Sequence, residues 1–250
     1  MRILHLYHDV MNLYGEYGNI AVLTKVLKSC NIETEVICCG LWEKPDFSSF
    51  DFVYMGAGTE ENQKLVLEKL SEEKEAFQEY VNKGGAALFT GNSFEILGDM
   101  ITEETGKQWQ GLKIFPFRVR QQKKNRLTGD AVFSTSKLRE ETVGFINKCS
   151  CIEGIEIPCF QVLMGMGNED RGKKEGITFK NLMGTHLTGP LLVKNPYLLL
   201  ALVNDLIKKE RKEGLTLEEK ESLEKGVLAE SIAAYEVTLR ELKKRMEKEK

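Results

Sequence analysis

The sequence contains no run of about 18 consecutive apolar residues, which excludes a membrane-spanning helix of ordinary length. It also lacks the charged segment followed by a long apolar stretch that marks a signal peptide, so a cytoplasmic protein is expected. No charge of one sign accumulates: the formal net charge is −3, with Lys and Arg mixed among Asp and Glu, which leaves no electrostatic footprint for nucleic acid. Small molecules or other proteins are the expected partners. The six cysteines form no CxxC and no regular framework, so reduced, partly buried thiols are expected. Cys149 and Cys151 stand close enough for a metal or redox pair, but no second pair or adjacent His completes a ligand set, and neither a metal nor a cofactor is expected. No internal repeat, low-complexity segment or long linker divides the chain.

What is present is an α/β pattern. Short apolar runs at residues 2–7, 33–38, 52–55 and 86–89 alternate with helix-period segments at 18–29, 60–83 and 93–104, which predicts a mostly parallel sheet flanked by helices. In such sheets the site lies off the carboxyl ends of the strands, here the loops 8–18, 56–59 and 90–93. From about residue 111 the pattern changes to short strands, 113–118, 127–134, 142–145, 160–164, 176–179 and 182–185, expected as an antiparallel extension or edge of the same sheet, with a polar hairpin loop at 165–176. Residues 196–208 return to helix periodicity. The segment 210–250 is rich in Glu and Lys and carries a narrow stripe of Leu228, Ile232, Tyr235, Leu239, Leu242 and Met246. That stripe suits a helix packed on its own domain or one docked on a partner or second copy. Residues 1–208 are therefore expected to form one domain and 209–250 a charged amphipathic extension.

The most telling stretch is 88–98, where an apolar strand enters a turn at Gly91 and a helix-like segment begins at Ser93. Turns of this shape present a Ser or Cys nucleophile where backbone N–H groups can hold an oxyanion. Here the tip is glycine. Glycine has nothing to attack with, but it accepts a positive φ without strain and so preserves the turn.

Three further segments, in order, carry a family resemblance: Met11-Asn12-Leu13-Tyr14-Gly15-Glu16-Tyr17-Gly18-Asn19-Ile20, then Gly56-Ala57-Gly58-Thr59-Glu60-Glu61-Asn62-Gln63, then Gly184-Thr185-His186-Leu187-Thr188-Gly189-Pro190-Leu191-Leu192-Val193-Lys194-Asn195-Pro196. With Val143-Gly144-Phe145-Ile146-Asn147 as a further match, residues 1–205 resemble the cobyric acid synthase-type class I glutamine amidotransferases, most closely the glutaminase subunits of lipid II isoglutaminyl synthases. The resemblance implies a flavodoxin-like fold, a Cys and His that hydrolyse glutamine, and a Mur-ligase-like partner subunit that receives the ammonia in cell-wall amidation. It places the Cys on Gly91 and the His on Thr188, so both members of the dyad are replaced. It also implies ligand-binding roles for Gly56 and Gly58, whose loop would offer an oxyanion N–H, and for Arg126, which would hold the glutamine carboxylate unless it is an ordinary surface arginine. Ala57 and Thr59 depart from the family's usual Gly and Gln, and Cys149 follows Asn147 where the family carries a His-Gly-Gly-like stretch.

Threonine is not a base near neutral pH. His186 is either a structural histidine or a substitute base reaching from the same strand face, and Thr90, Ser93, Cys149 and Cys151 are the remaining nucleophile candidates. Three readings follow: a catalytically silent amidotransferase-like subunit that scaffolds its partner or binds a glutamine-like ligand, an active amidotransferase with a displaced dyad, or a different enzyme reusing the pocket.

Overall fold

The computed structural model describes residues 1–122, 124–169 and 171–248. In its first part β1 (Arg2–Leu6), α1 (Tyr17–Ser29), β2 (Glu35–Cys39), β3 (Phe52–Met55), α2 (Glu60–Glu72), α3 (Lys74–Asn82) and β4 (Ala86–Thr90) alternate as the periodicity predicts. Then follow β5 (Met100–Thr102), β6 (Gln108–Gln110), β7 (Arg118–Gln121), β8 (Leu127–Ser134), β9 (Thr142–Lys148), β10 (Ser150–Glu153), β11 (Phe160–Met164), β12 (Lys174–Glu175), β13 (Ile177–Phe179), β14 (Leu182–Thr185) and β15 (Leu187–Thr188). The chain closes with α4 (Leu191–Lys194), α5 (Pro196–Arg211), α6 (Leu217–Lys225) and α7 (Ala229–Lys248).

The central sheet runs β13-β14-β4-β3-β1-β2, parallel throughout except for β13, which pairs antiparallel with β14 at the edge. Reversal of strand order on either side of β1 is the flavodoxin-like arrangement. Both faces are covered, so β3 and β4 are buried at every position. Alternation along each strand feeds two cores: Val53, Met55, Ala87 and Phe89 pack with α2 and α3 residues such as Val66 and Phe77, while Phe52, Tyr54, Ala86 and Leu88 pack with Leu23, Val203 and Leu206 of α1 and α5.

Several sequence expectations are corrected. The helix expected over 60–83 is broken at Glu73, which lets Phe77 and Tyr80 turn into the same apolar cluster as Val66 and Leu70. The helix expected over 93–104 is a 3-10 turn, Gly91–Leu97, followed by β5. Carbonyls of Ile96, Leu97 and Gly98 that would continue a helix accept N–H groups of Leu112, Ile114 and Lys113 at 2.8, 3.0 and 2.9 Å. Those same bonds explain why 113–118 is not a strand: its N–H groups are spent on the end of the turn. The antiparallel strands do not merely extend the first sheet. β13 and β14 join it, β14 parallel to β4, and the others build two more sheets, β10-β7-β5-β6, in which β5 and β7 are parallel, and β12-β11-β8-β9-β15.

The hairpin expected at 165–176 is present between β11 and β12, with Asp170 of that loop outside the described residues. Beyond Arg211 the single helix expected is two, separated at Gly226; Glu249 and Lys250 of that segment lie outside the described residues. The α7 stripe is covered by the chain's own sheet: Tyr235, Leu239, Leu242 and Met246 pack with Val132 and Val143, and Tyr235 Oη donates to Glu141 O at 2.7 Å. Among the described residues no helix is long and apolar enough to cross a membrane.

Candidate functional site

The loops at the carboxyl ends of β3 and β4 meet the segment after β15 around a cavity of about 300 Å³. Its walls bring together Gly58, Gly91, Thr188 and Arg126, with Tyr14, Ala57, Glu60, Asn92, Glu95, Gln121, Asn147 and Cys149. Gly56 is not among them. It is glycine because a Cβ there would stand 2.6 Å from Met11 O and 2.9 Å from Glu16 Cβ, so it lets the loop after β1 lie against the loop after β3.

Gly91 occupies the tip of the turn at φ +64°, the left-handed region its sequence position suggested. Thr188 faces the same cavity, but its hydroxyl donates to Phe145 O at 3.1 Å. The N–H of Gly58 donates to Asn92 Oδ1 at 3.0 Å, so this would-be oxyanion donor is already taken. Arg126 does reach the pocket. It pairs with the Glu60 carboxylate and donates to Asn147 Oδ1 at 3.0 Å, while Asn147 Nδ2 donates to Tyr14 Oη at 2.8 Å. Against the burial that would raise it, its own backbone N–H and the Arg126 guanidinium hold the Glu60 carboxyl below the usual carboxylate range.

The substitute nucleophiles fare poorly. Thr90 and Ser93 are buried and point inward: Thr90 donates to the Glu16 carboxylate, and Ser93 Oγ donates to Thr90 O at 2.7 Å and Met55 O at 3.1 Å. Cys149 lines the cavity with Sγ 3.2 Å from Glu60 Oε1, and burial together with that carboxylate pushes its thiol up to about 12. A thiol so protonated is a weak nucleophile. Cys151 is buried and absent from the cavity wall, and among the described residues no group of three His, Cys, Asp or Glu is placed to hold a metal.

His186 does not substitute for the base. The chain leaves the central sheet at this residue, and Leu187 and Thr188 pair with β9 of another sheet, so strand alternation does not bring His186 beside Thr188. Its ring is 1% exposed, with Nε2 3.1 Å from Glu95 Oε1 and Nδ1 3.3 Å from Glu175 Oε1. Ser150 Oγ also donates to Glu95, and Gln63 Nε2 donates to Glu95 Oε2 at 2.9 Å and Asn92 O at 2.6 Å. A relay of buried polar groups thus runs from the cavity wall at Glu95 inward, not outward.

On the other side of the turn lies a second relay. Glu16 is fully buried and accepts from Tyr54 Oη, from Thr90 Oγ1 and from Gly189 N at 2.8 Å; Asn19 bridges Tyr54 Oη at 2.7 Å to Leu192 N at 2.7 Å. The motif around residues 11–20 therefore acts as a clamp on the turn and on the segment after Thr188. Burial raises the Glu16 carboxyl above its ordinary value, opposed by the bonds from Thr90, Tyr54 and Gly189.

Sequence reasoning missed Glu60, Asn92 and Glu95. Glu60 had a local signal as the first residue of a helix capped by Thr59, whose Oγ1 accepts from Asn62 N at 3.1 Å. Glu95 and Glu175 had none, because they meet His186 only through the tertiary fold.

Comparison with known proteins points to one family. The profile of the CobB/CobQ-like glutamine amidotransferase domain matches residues 2–196. The lipid II isoglutaminyl synthase (glutamine-hydrolyzing) subunit GatD of Streptococcus pneumoniae is 29% identical over 232 residues, 92% of this chain and 89% of that protein. GatD of Staphylococcus aureus is 34% identical over 195 residues, 78% and 79% of the respective chains. The crystal structure of a glutamine amidotransferase from Thermotoga maritima aligns over 98% of this chain and 97% of its own at 13% identity, with a TM-score of 0.49.

Proposed function

The chain belongs to the CobB/CobQ-like glutamine amidotransferase domain family, and from that premise we propose that it is a cytoplasmic, glutaminase-type subunit without glutamine hydrolysis, acting with a Mur-ligase-like partner in lipid II amidation or a related pathway. The observation that carries the reading is the turn itself: the nucleophile position is Gly91 at φ +64°, and the base position is Thr188, whose hydroxyl is bonded to a backbone carbonyl. Loss of the nucleophile removes the covalent route, and loss of the base removes its activation. Relatives named as subunits of a lipid II isoglutaminyl synthase support a partner subunit, and its Mur-ligase-like nature is what the family resemblance implies. Residues 1–208 form the amidotransferase-like unit in this reading and 209–250 its helical extension. Arg126 remains the residue suited to a ligand carboxylate, once freed from Glu60.

The alternative of an active amidotransferase with a displaced nucleophile needs a reactive thiol, and Cys149 is the one that lines the cavity. The purified chain, alone and with its ligase partner, is expected to release no ammonia from glutamine. Release that disappears in Cys149→Ser sinks the proposal.

A further inference from the structure

We infer that glutamine is excluded from the cavity by the chain's own side chains: Ala57, Asn92 and Glu60 each fill a place a glutamine substrate would need. Positions 91 and 188 are then not the whole of the loss. The inference deepens the reading under Proposed function and rests on it for the identity of the excluded ligand.

Ala57 comes first. A Cβ built on Gly91 stands 2.5 Å from Ala57 Cβ, 3.3 Å from Ala57 Cα and 3.1 Å from Thr188 Cγ2. Carbon atoms settle at about 3.5–4.0 Å, so any side chain at 91 overlaps the Ala57 methyl. Relief by a rotamer change is impossible for alanine. Relief by a backbone shift is opposed on both sides, since Leu13 N donates to Ala57 O at 2.9 Å and the flanking Gly56 and Gly58 already lie against Met11. Gly91 and Ala57 are thus a matched pair, each tolerated because of the other.

Asn92 and Glu60 close the polar places. Asn92 Oδ1 sits on the Gly58 N–H at 3.0 Å, where a developing oxyanion would need a free donor, and Asn92 O is held by Gln63 Nε2 at 2.6 Å. The Glu60 carboxylate sits on Arg126 as an incoming carboxylate would. A free amino acid entering the pocket would have to displace one anion with another. The excluded class is therefore amino acids bearing a free α-carboxylate, glutamine among them.

Two measurements on the full chain test this. In thermal unfolding, Gly91→Ala is expected to lower the midpoint by about 5–15 °C, and Ala57→Gly/Gly91→Ala to recover at least half of that loss. Calorimetric titration with glutamine is expected to give no saturable heat with the wild-type chain and, with Glu60→Ala, saturable binding about tenfold or more tighter than the weakest the titration detects. Simple additivity of the two glycine-site substitutions overturns the inference, as does glutamine binding that is equal with and without Glu60. Ammonia release by the wild-type chain is a separate readout that overturns the functional reading. As a consequence for reactivation, Gly91→Cys/Thr188→His should stay silent while Ala57 is retained and gain glutamine hydrolysis when Ala57→Gly is added; equal activity with and without that third change also overturns the inference.

Discussion

Two buried histidines lie in this core, one tied to the turn at Gly91 through Glu95 and the other through Tyr54, and their surroundings are opposite. His186 stands between Glu95 and Glu175, edge-on to Phe94 with ring centroids 4.6 Å apart; its Nε2 meets Glu95, while its Nδ1 lies 3.3 Å from Glu175 Oε1 without a hydrogen bond among the described residues. His5 on β1 has no carboxylate beside it. Its Nε2 finds no hydrogen-bond partner among the described residues, and its ring lies against Tyr54 and His8 at 5.3 and 5.9 Å. Burial, with His8 adding to it, brings the His5 pKa down to about 4. One histidine is a strut joining the turn after β4, strand β12 and the exit of β14; the other is an aromatic filler held neutral. The residue type foretells neither role. The neighbouring carboxylates decide it.

Replacing each histidine by leucine separates the two most sharply. His186→Leu removes the imidazole that Glu95 faces and should cost about 1–3 kcal/mol in urea unfolding, the range for leaving a buried polar group without its partner. His5→Leu exchanges an unpartnered nitrogen for apolar volume and should lie within about 1 kcal/mol of wild type at pH 7. Similar costs at the two sites would erase the comparison.

The same contrast explains how much could be read in the sequence. Parallel strands β1, β3 and β4 were legible because burial on both faces forces continuous apolar runs. Gly91, Thr188 and Arg126 were legible through the order of the motifs, and they do line one cavity. The histidine at 186 was visible, but Glu95 and Glu175 lie 91 and 11 residues from it, and nothing local links them. Nor does any periodicity show that the N–H groups of residues 112–115 will end the turn at Leu97, since both segments suit other structures taken alone. Gly56, which does not line that cavity, was hard to place for a related reason. The sequence shows a glycine but not which backbone approaches it.

A second prediction uses pH. The unfolded chain takes a proton on His5 near 6.5, whereas the folded chain resists until about 4. Between these values the unfolded state binds more protons, so stability is full above pH 6.5 and falls as pH drops toward 4, by at most about 3 kcal/mol. Denaturant midpoints measured across that window should show the fall in wild type and a flatter profile in His5→Leu. Identical profiles would mean that His5 is not held neutral.

The smallest effect tests the carboxylate of the His5 side. Glu16 takes its hydrogen bonds from two hydroxyls, a backbone N–H and, at 3.3 Å, the Asn19 amide, with no cation bonded to it among the described residues. Its raised pKa has the opposite sign to that of His5: the folded carboxyl holds its proton more tightly, so its contribution is present below 4.5 and lost as pH rises through the folded value. Glutamine at this position can accept from Gly189 N with its carbonyl and donate to Tyr54 or Thr90, whose hydroxyls serve either way. Glu16→Gln should therefore cost only about 1 kcal/mol at pH 7 and remove that loss on the alkaline side, whereas Glu16→Ala strands all of its donors and should cost about 3 kcal/mol. Glu95→Gln is the matching control. Because Glu95 faces an imidazole as well as neutral donors, it should cost more than Glu16→Gln, and equal costs would show that the two carboxylates are held in the same way after all.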